Sequence, residues 1–182
     1  MHPAGSAAIY NNGSTQTITV NDADYARIIG SAARAIISNR TNSVSQSLVV
    51  QGVSSQNRIE LGSAGATAES FINSEPGPQS ITAGLPGQSG GIVMVSGIGT
   101  SNDSVGISAA GDQTIQVGSG GIQLTGGGNN NNFAAIYNYG TTGTQTITSG
   151  GDITLNGGSS GSNNYSQFSA SGSGGQSITM SG

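Results

Sequence analysis

Residues 145–156 read QTITSGGDITLN, and this stretch decides the fold. It contains two short runs in which apolar residues alternate with polar ones, and a Gly-Gly pair separates the runs. Such period-two alternation is typical of β-strands, and adjacent glycines are typical of a turn. The stretch therefore predicts two short strands joined by a turn.

The first strand of this stretch recurs along the chain. The motif Gln-(Thr/Ser)-(Ile/Leu) begins at Gln16, Gln46, Gln79, Gln113, Gln145 and Gln176, with successive spacings of 30, 33, 34, 32 and 31 residues. A near-constant period of this length indicates a repeat architecture, in which each copy buries its apolar face against the next. Residues 1–182 are therefore predicted to form one repeat domain, with an irregular first repeat over 21–45.

Two further segments keep step with the motif. One follows it, at residues 57–61, 91–95, 121–125 and 152–156, and the other precedes the next copy, at residues 7–11, 105–109, 134–138 and 166–170. Stacked copies would pair equivalent strands in parallel, about 4.8 Å apart. The sequence thus predicts an all-β fold, a parallel β-helix (solenoid) with three short strands per coil of about 30–34 residues and about five to six coils.

Stacking of the copies predicts columns of equivalent side chains inside the coil. The first column is expected to contain Ile18, Leu48, Ile81, Ile115, Ile147 and Ile178. The second is expected to contain Ile59, Ile92, Ile122 and Ile153, beside Leu61, Met94, Leu124 and Leu155, and the third Ile9, Ile107, Ile136 and Phe168. Each aliphatic side chain would then pack on its own equivalents, which contributes about 25 cal/mol per Å² of buried apolar surface.

The glutamine of the motif shares the inward parity of the first column. A lone buried amide is costly, but stacked amides can hydrogen-bond one another along the axis. We therefore expect Gln16, Gln46, Gln79, Gln113, Gln145 and Gln176 to form a structural ladder rather than a ligand site.

The first repeat departs from the pattern and admits two interpretations. Tyr25, Ile28, Ile29, Ala32 and Ile36 fit helical spacing, and Asp22 suits a helix N-cap. A glycine interrupts that run and the 30-residue period is kept, so strands are the favoured interpretation and a helix over 22–38 is the alternative.

Composition narrows the function. The chain has 32 Gly, 7% charged residues and a net charge of -4. Low-complexity disorder is the general alternative for such a composition.

No basic residue follows Arg58, which argues against nucleic acid binding, and no apolar run is long enough for membrane insertion. The chain has no cysteine, and its start, Met1-His2-Pro3, shows no signal peptide.

Candidate catalytic groups do not align between repeats. The column of Glu60 continues as Val93, Gln123 and Thr154, whereas hydrolysis of glycosides needs two converging carboxylates. The single histidine is His2, so no histidine cluster can hold a metal. We therefore expect no catalytic residue, no cofactor and no metal. Residues 129–132, four asparagines, are interpreted as a solvated turn, with contact to a glycan or host partner as the alternative.

The motifs also carry a family resemblance. The run Gln145-Thr146-Ile147-Thr148, the run Gly151-Asp152-Ile153-Thr154-Leu155 and the turns rich in Gly and Asn resemble the passenger repeats of filamentous-haemagglutinin-like bacterial surface proteins. That resemblance implies a secreted adhesin at the cell surface, exported through an outer-membrane partner. It implies a β-helical shaft with adhesive contacts to a host or glycan surface.

Three functions follow as expectations. The first is a structural shaft that stacks end to end into extracellular fibres, because uncapped solenoid ends expose unpaired strand edges. The second is an ice-binding face, suggested by the pairs Thr17/Thr19 and Thr146/Thr148 but interrupted at Val49 and Gln116. The third is a carbohydrate-active β-helix enzyme, which the unaligned carboxylates disfavour.

Overall fold

The computed structural model describes residues 7–12, 14–21, 25–30, 34–40, 45–51, 56–63, 69–75, 77–85, 87–97 and 102–181. In these residues the chain forms only strands and turns, so they include no helix that is long and apolar enough to cross a membrane. The all-β prediction is confirmed.

Within the described residues, seventeen strands form three parallel sheets. Sheet A contains, in spatial order, β1 (Ala7–Asn11), β4 (Arg34–Asn39), β7 (Glu69–Ser74), β10 (Ser104–Ala109), β13 (Ala134–Asn138) and β16 (Ser166–Ala170). Sheet B contains β2 (Gln16–Asn21), β5 (Gln46–Gln51), β8 (Gln79–Ala83), β11 (Gln113–Val117), β14 (Gln145–Ser149) and β17 (Gln176–Met180). Sheet C contains β3 (Tyr25–Gly30), β6 (Arg58–Ser63), β9 (Gly91–Val95), β12 (Gly121–Thr125) and β15 (Ile153–Asn156).

Each strand pairs with the strand three places later in the chain, which makes a solenoid of about five turns with three strands per coil. The register joins equivalent residues without a slip. Ile115, for example, pairs with Ile81 on one side and with Ile147 on the other. The predicted parallel β-helix is therefore confirmed.

The inward columns follow from that register. In sheet B the column runs from Ile18 through Leu48 to Ile178, and in sheet C from Ile59 through Ile92 and Ile122 to Ile153. Most of these side chains are fully buried, and together they form one continuous core. Because strand side chains alternate between faces, each buried row leaves an outward row beside it.

Sheet A contains two inward residues that the repeat pattern did not predict. Ile37 and Ile72 join the column of Ile9, Ile107 and Ile136. Their strands, β4 and β7, differ from the Ala-Ala-Ile-Tyr-Asn pattern of β1 and β13 at most outward positions. Both strands share the buried isoleucine position, and β4 also keeps the inward alanine and asparagine of the pattern as Ala35 and Asn39. Packing constrains the inward side chains and leaves the outward ones free to vary.

The irregular first repeat is built from strands, as the favoured interpretation held. Strand β3 pairs with β6 and strand β4 pairs with β7. Ile28 thereby enters the sheet C column opposite Leu61. The helical spacing is overridden because pairing with the next coil supplies a backbone partner for each residue of these strands. Asp22 and Ala32, on which the helical alternative relied, lie outside the described residues.

The first and last described coils leave core columns open to solvent. At one end Ile9 is 54% exposed. At the other end Leu155 and Ile178 are each 43% exposed, whereas their equivalents in the middle coils are buried. An additional coil at either end would cover these side chains.

Glycines allow the turns of adjacent coils to touch. Gly121 has φ +70°, and a Cβ placed there would lie 2.1 Å from the carbonyl oxygen of Asp152 in the next coil. Gly175 has a similar φ of +82°, but a Cβ there would meet nothing within 4 Å. A comparison of substitutions at Gly121 and Gly175 therefore separates the energetic cost of the left-handed backbone from the cost of crowding against the next coil.

We predict that Gly121→Ala lowers the free energy of unfolding by roughly 3 kcal/mol, because left-handed strain and a backbone clash add together. Gly175→Ala, the matched control, is expected to cost roughly 1 kcal/mol from the backbone conformation alone. Urea denaturation followed by circular dichroism measures both. Equal losses in the two variants would contradict the close contact between coils at Gly121.

Candidate functional site

The six motif glutamines form a hydrogen-bonded ladder inside the solenoid. The side-chain nitrogen of each later glutamine donates to the side-chain oxygen of the one before it. The donor–acceptor distances are 2.8 Å for Gln46 to Gln16, 2.8 Å for Gln79 to Gln46, 2.8 Å for Gln113 to Gln79 and 2.7 Å for Gln145 to Gln113, and Gln176 donates to Gln145. The first five are buried.

The ladder also joins sheet B to sheet A. The amide of Gln46 donates to the carbonyl of Asn73 at 3.1 Å, and that of Gln79 donates to the carbonyl of Ser108 at 3.0 Å. Each interior amide is thus satisfied within the protein, which removes the cost of burying it. The ladder acts as part of the frame and presents no group to a ligand.

The asparagine-rich tip forms a second ladder on the outside. Asn131 donates to Asn102 at 3.0 Å, and Asn163 donates to Asn131 at 2.9 Å. All three have positive φ, between 59° and 70°, a conformation that asparagine tolerates better than most residues. These contacts support the interpretation of residues 129–132 as a turn whose side chains hold adjacent coils together.

The described acidic side chains lie on different sides of the coil. Glu60, on sheet C, is 2.8 Å from Arg27 and 3.3 Å from Arg58. Glu69, on sheet A, contacts Arg34. Asp112, which precedes sheet B, accepts hydrogen bonds from the backbone and side chain of Thr144, and these lower the pKa of its carboxyl. No three potential metal ligands cluster within the described ranges. The absence of enzyme activity stays a prediction.

The outer face of sheet B presents two rows of small polar residues. The first row holds a hydroxyl at every coil, and its members are Thr17, Ser47, Ser80, Thr114, Thr146 and Ser177. The second row is Thr19, Val49, Thr82, Gln116, Thr148 and Thr179. The register places both interruptions in the second row and leaves the first row unbroken.

The outer face of sheet A contains a groove with a volume of about 650 Å³. Its aromatic wall consists of Phe71, Tyr137 and Tyr139, and its charged residues are Arg34, Arg40 and Glu75. The groove is larger than the concave regions beside Arg58 on sheet C, of about 220 Å³, and beside Ile9 and Ile29, of about 360 Å³. Grooves of this size with mixed aromatic and polar linings are typical of small-ligand sites.

Two tyrosines of the groove remain protonated at neutral pH. Burial, together with the nearby charge of Glu75, raises the pKa of Tyr139 to about 12. Burial also raises the pKa of Tyr137, against the effect of a hydrogen bond with Ser108. Both hydroxyls can therefore act as hydrogen-bond donors under physiological conditions.

Sequence reasoning did not identify this groove. Tyr10 and Tyr137 were visible as the same position of the repeated Ala-Ala-Ile-Tyr-Asn segment. The residues between them in the column, Ser38, Asn73 and Ser108, share no motif. Their alignment depends on β7, a strand that the sequence did not reveal, and on β4, whose place in the column was not predicted. The change from small to aromatic residues along one outward column is the feature of the sequence that could have revealed the groove.

Comparison of the chain with protein-family models, with curated proteins and with solved structures found no match. The function is therefore inferred from the geometry of the coil and its faces.

We predict that Gln113→Leu lowers the free energy of unfolding by roughly 2 kcal/mol or more, because the change leaves buried partners in Gln79 and Gln145 unsatisfied. Gln176→Leu is the matched control. Its side chain is exposed at the end of the ladder and bonds to one neighbour only, so we expect a loss below about 1 kcal/mol. Urea denaturation midpoints measure the difference. Similar midpoints for both variants would show that the ladder adds little to stability.

Proposed function

We propose that this chain is a structural β-helical shaft of a secreted or cell-surface bacterial protein, of the kind found in filamentous-haemagglutinin-like adhesins. The observation that carries the proposal is the unbroken parallel register of its three sheets, in which each coil pairs with the next through equivalent residues. A rod of this kind extends by nearest-neighbour contacts alone. It supplies reach and stiffness, which a surface adhesin requires.

The extracellular location rests on the resemblance of the motifs to adhesin repeats. A chain without cysteine is compatible with that location, because its stability depends on no disulfide. The amide ladders and the stacked aliphatic columns hold the coil together instead.

The fibre form of the proposal rests on the two end coils. Ile9 at one end and Ile178 at the other lie in columns that are buried in the middle of the solenoid. The outer edges of β17 and β1 present unpaired backbone groups next to Ile178 and Ile9, and such edges accept a further parallel strand. A second copy that docks in register would bury the exposed column and pair the edge.

We predict that the purified chain forms filaments whose mass rises with concentration, measured by light scattering and electron microscopy. Ile178→Asp should abolish them, because it places a charge in the apolar column at the docking edge. Thr179→Asp is the matched control, since its side chain lies on the outer face of the same strand, and it should still assemble. A monomer at every concentration, or equal assembly by both variants, would exclude end-to-end stacking.

A second candidate is an ice-binding face on sheet B. The observation that favours it is the complete hydroxyl row, which the register spaces regularly along the axis at about 4.8 Å. Four of the six positions in the parallel second row, Thr19, Thr82, Thr148 and Thr179, also carry hydroxyls. A flat array of this kind can order water on its surface.

A thermal hysteresis measurement tests the ice-binding candidate. Thr114→Arg introduces a long charged side chain in the middle of the unbroken row and should abolish the activity. Thr154→Arg makes the same change on the outer face of sheet C and should leave it intact. A wild-type protein without hysteresis or inhibition of ice recrystallisation would remove this candidate.

A further inference from the structure

Two outward columns that run along the axis supply most of the residues that line the groove on sheet A. In each coil the two residues are separated by one inward residue. The pairs from successive coils are Ser38 with Arg40, Asn73 with Glu75, Ser108 with Ala110, and Tyr137 with Tyr139. The side chains change from small and polar to aromatic along the same line.

The two tyrosines close one end of the groove. Their ring centroids are 6.1 Å apart and their planes are inclined by 45°. Tyr137 leans over the preceding coil, because its Cε1 atom lies 3.4 Å from the position that a Cβ on Gly106 would take. The ring of Phe71 occupies the same space from the other side, 2.5 Å from that position. A glycine at 106 is thus what allows the aromatic wall to form.

A third tyrosine marks the opposite end. Tyr10 lies in the same column as Ser38 and Tyr137, and the guanidinium of Arg40 lies 4.3 Å from the centre of its ring. Four strand spacings separate the two tyrosines of the column, a length of roughly 19 Å. The groove is therefore elongated along the solenoid axis.

The floor of the groove has an unused hydrogen-bonding group. Ser108 donates to Asn73 at 2.8 Å, and Asn73 donates to Glu75 at 2.7 Å. Ser38 is 1% exposed, yet its hydroxyl has no hydrogen-bond partner in the part of the chain that the structure describes. A buried hydroxyl without a partner costs free energy, so its presence requires an explanation. A ligand that reaches the floor would supply the missing partner.

The charges of the groove are of mixed sign. Arg40 and Glu75 occupy equivalent positions in adjacent coils, and Arg34 is paired with Glu69. An acidic ligand would be attracted by Arg40 and repelled by Glu75, and a basic ligand would meet the reverse. A neutral ligand with many hydroxyls can accept from Arg40 and donate to Glu75 at once.

We propose that the sheet A groove binds a neutral oligosaccharide. A pyranose ring offers an apolar face of C–H groups to the rings of Tyr137 and Tyr139, and its hydroxyls match the donors and acceptors of the floor. An elongated groove suits several sugar units in a row better than a single one. Ser38 gains its hydrogen bond when the groove is filled.

This proposal deepens the adhesive function proposed above, because it names a ligand class and a site on the side of the shaft. It does not depend on end-to-end stacking, since the groove opens on the side of the coil and its lining residues lie on or next to β4, β7, β10 and β13. Filament assembly and sugar binding are therefore measured separately, and the failure of one leaves the other standing.

The test uses the full chain and a panel of neutral gluco-, galacto- and manno-oligosaccharides, with matched uronate-containing oligosaccharides for comparison. Binding is measured by isothermal titration calorimetry and by saturation-transfer NMR. We expect at least one neutral oligosaccharide to bind, and we expect Tyr139→Ala to weaken that binding by about tenfold or more. Gln123→Ala, on the outer face of sheet C, is the control and should bind as the wild type does.

Ser38→Ala separates a binding role from a structural one. The change removes a buried hydroxyl that has no partner, so thermal stability should stay the same or rise. Binding should nevertheless fall several-fold. The proposal is overturned by a panel without a binder at millimolar concentration, by binding confined to the uronate-containing sugars, or by affinities that Tyr139→Ala and Ser38→Ala leave unchanged.

Discussion

The structure depends on one constraint, which is that each strand pairs in parallel and in register with its equivalent one coil later. Backbone hydrogen bonds fix this pairing, and the alternation of side chains then decides which residues face inward. Spacings between repeats vary from 30 to 34 residues without a slip in register, because the turns absorb the difference. Equivalent residues of successive coils thus form a column along the axis. Each column is restricted to side chains that can stack on one another.

This constraint explains what could be predicted from the sequence. Inward positions admit few residue types, so the aliphatic columns and the Gln16–Gln176 ladder were visible as a repeated motif. Outward positions carry no such restriction, which is why β7 was missed and β4 was not assigned to a column, although Ile37 and Ile72 occupy standard inward places. The groove was missed for the same reason. It arises from differences between coils, such as Ala110 beside Tyr139, and a search for similarity between repeats does not detect differences.

The same reasoning assigns separate roles to the faces of the coil. Sheet B repeats its outward hydroxyls almost without change, which gives a uniform surface. Sheet A varies at every outward position, from Ser38 to Asn73 to Tyr137, and so gives a surface with one distinct location. Recognition of a defined ligand needs such a location, whereas a uniform face suits a periodic target. A shaft with a regular frame can also carry a binding site when the outward residues of one face vary from coil to coil.

Stacking also accounts for the low content of charged residues, which made low-complexity disorder the alternative to a folded domain in the sequence analysis. A charged residue kept through all repeats would place like charges about 4.8 Å apart, and each contact would cost about 1 kcal/mol even in water. Where two charged residues face each other in adjacent coils their signs are opposite, as in Arg27 opposite Glu60 and Arg34 opposite Glu69. Arg40 and Glu75 continue this rule at the groove. Its mixed charge is therefore a consequence of the coil geometry, and a ligand suited to it must carry both donors and acceptors without a net charge of its own.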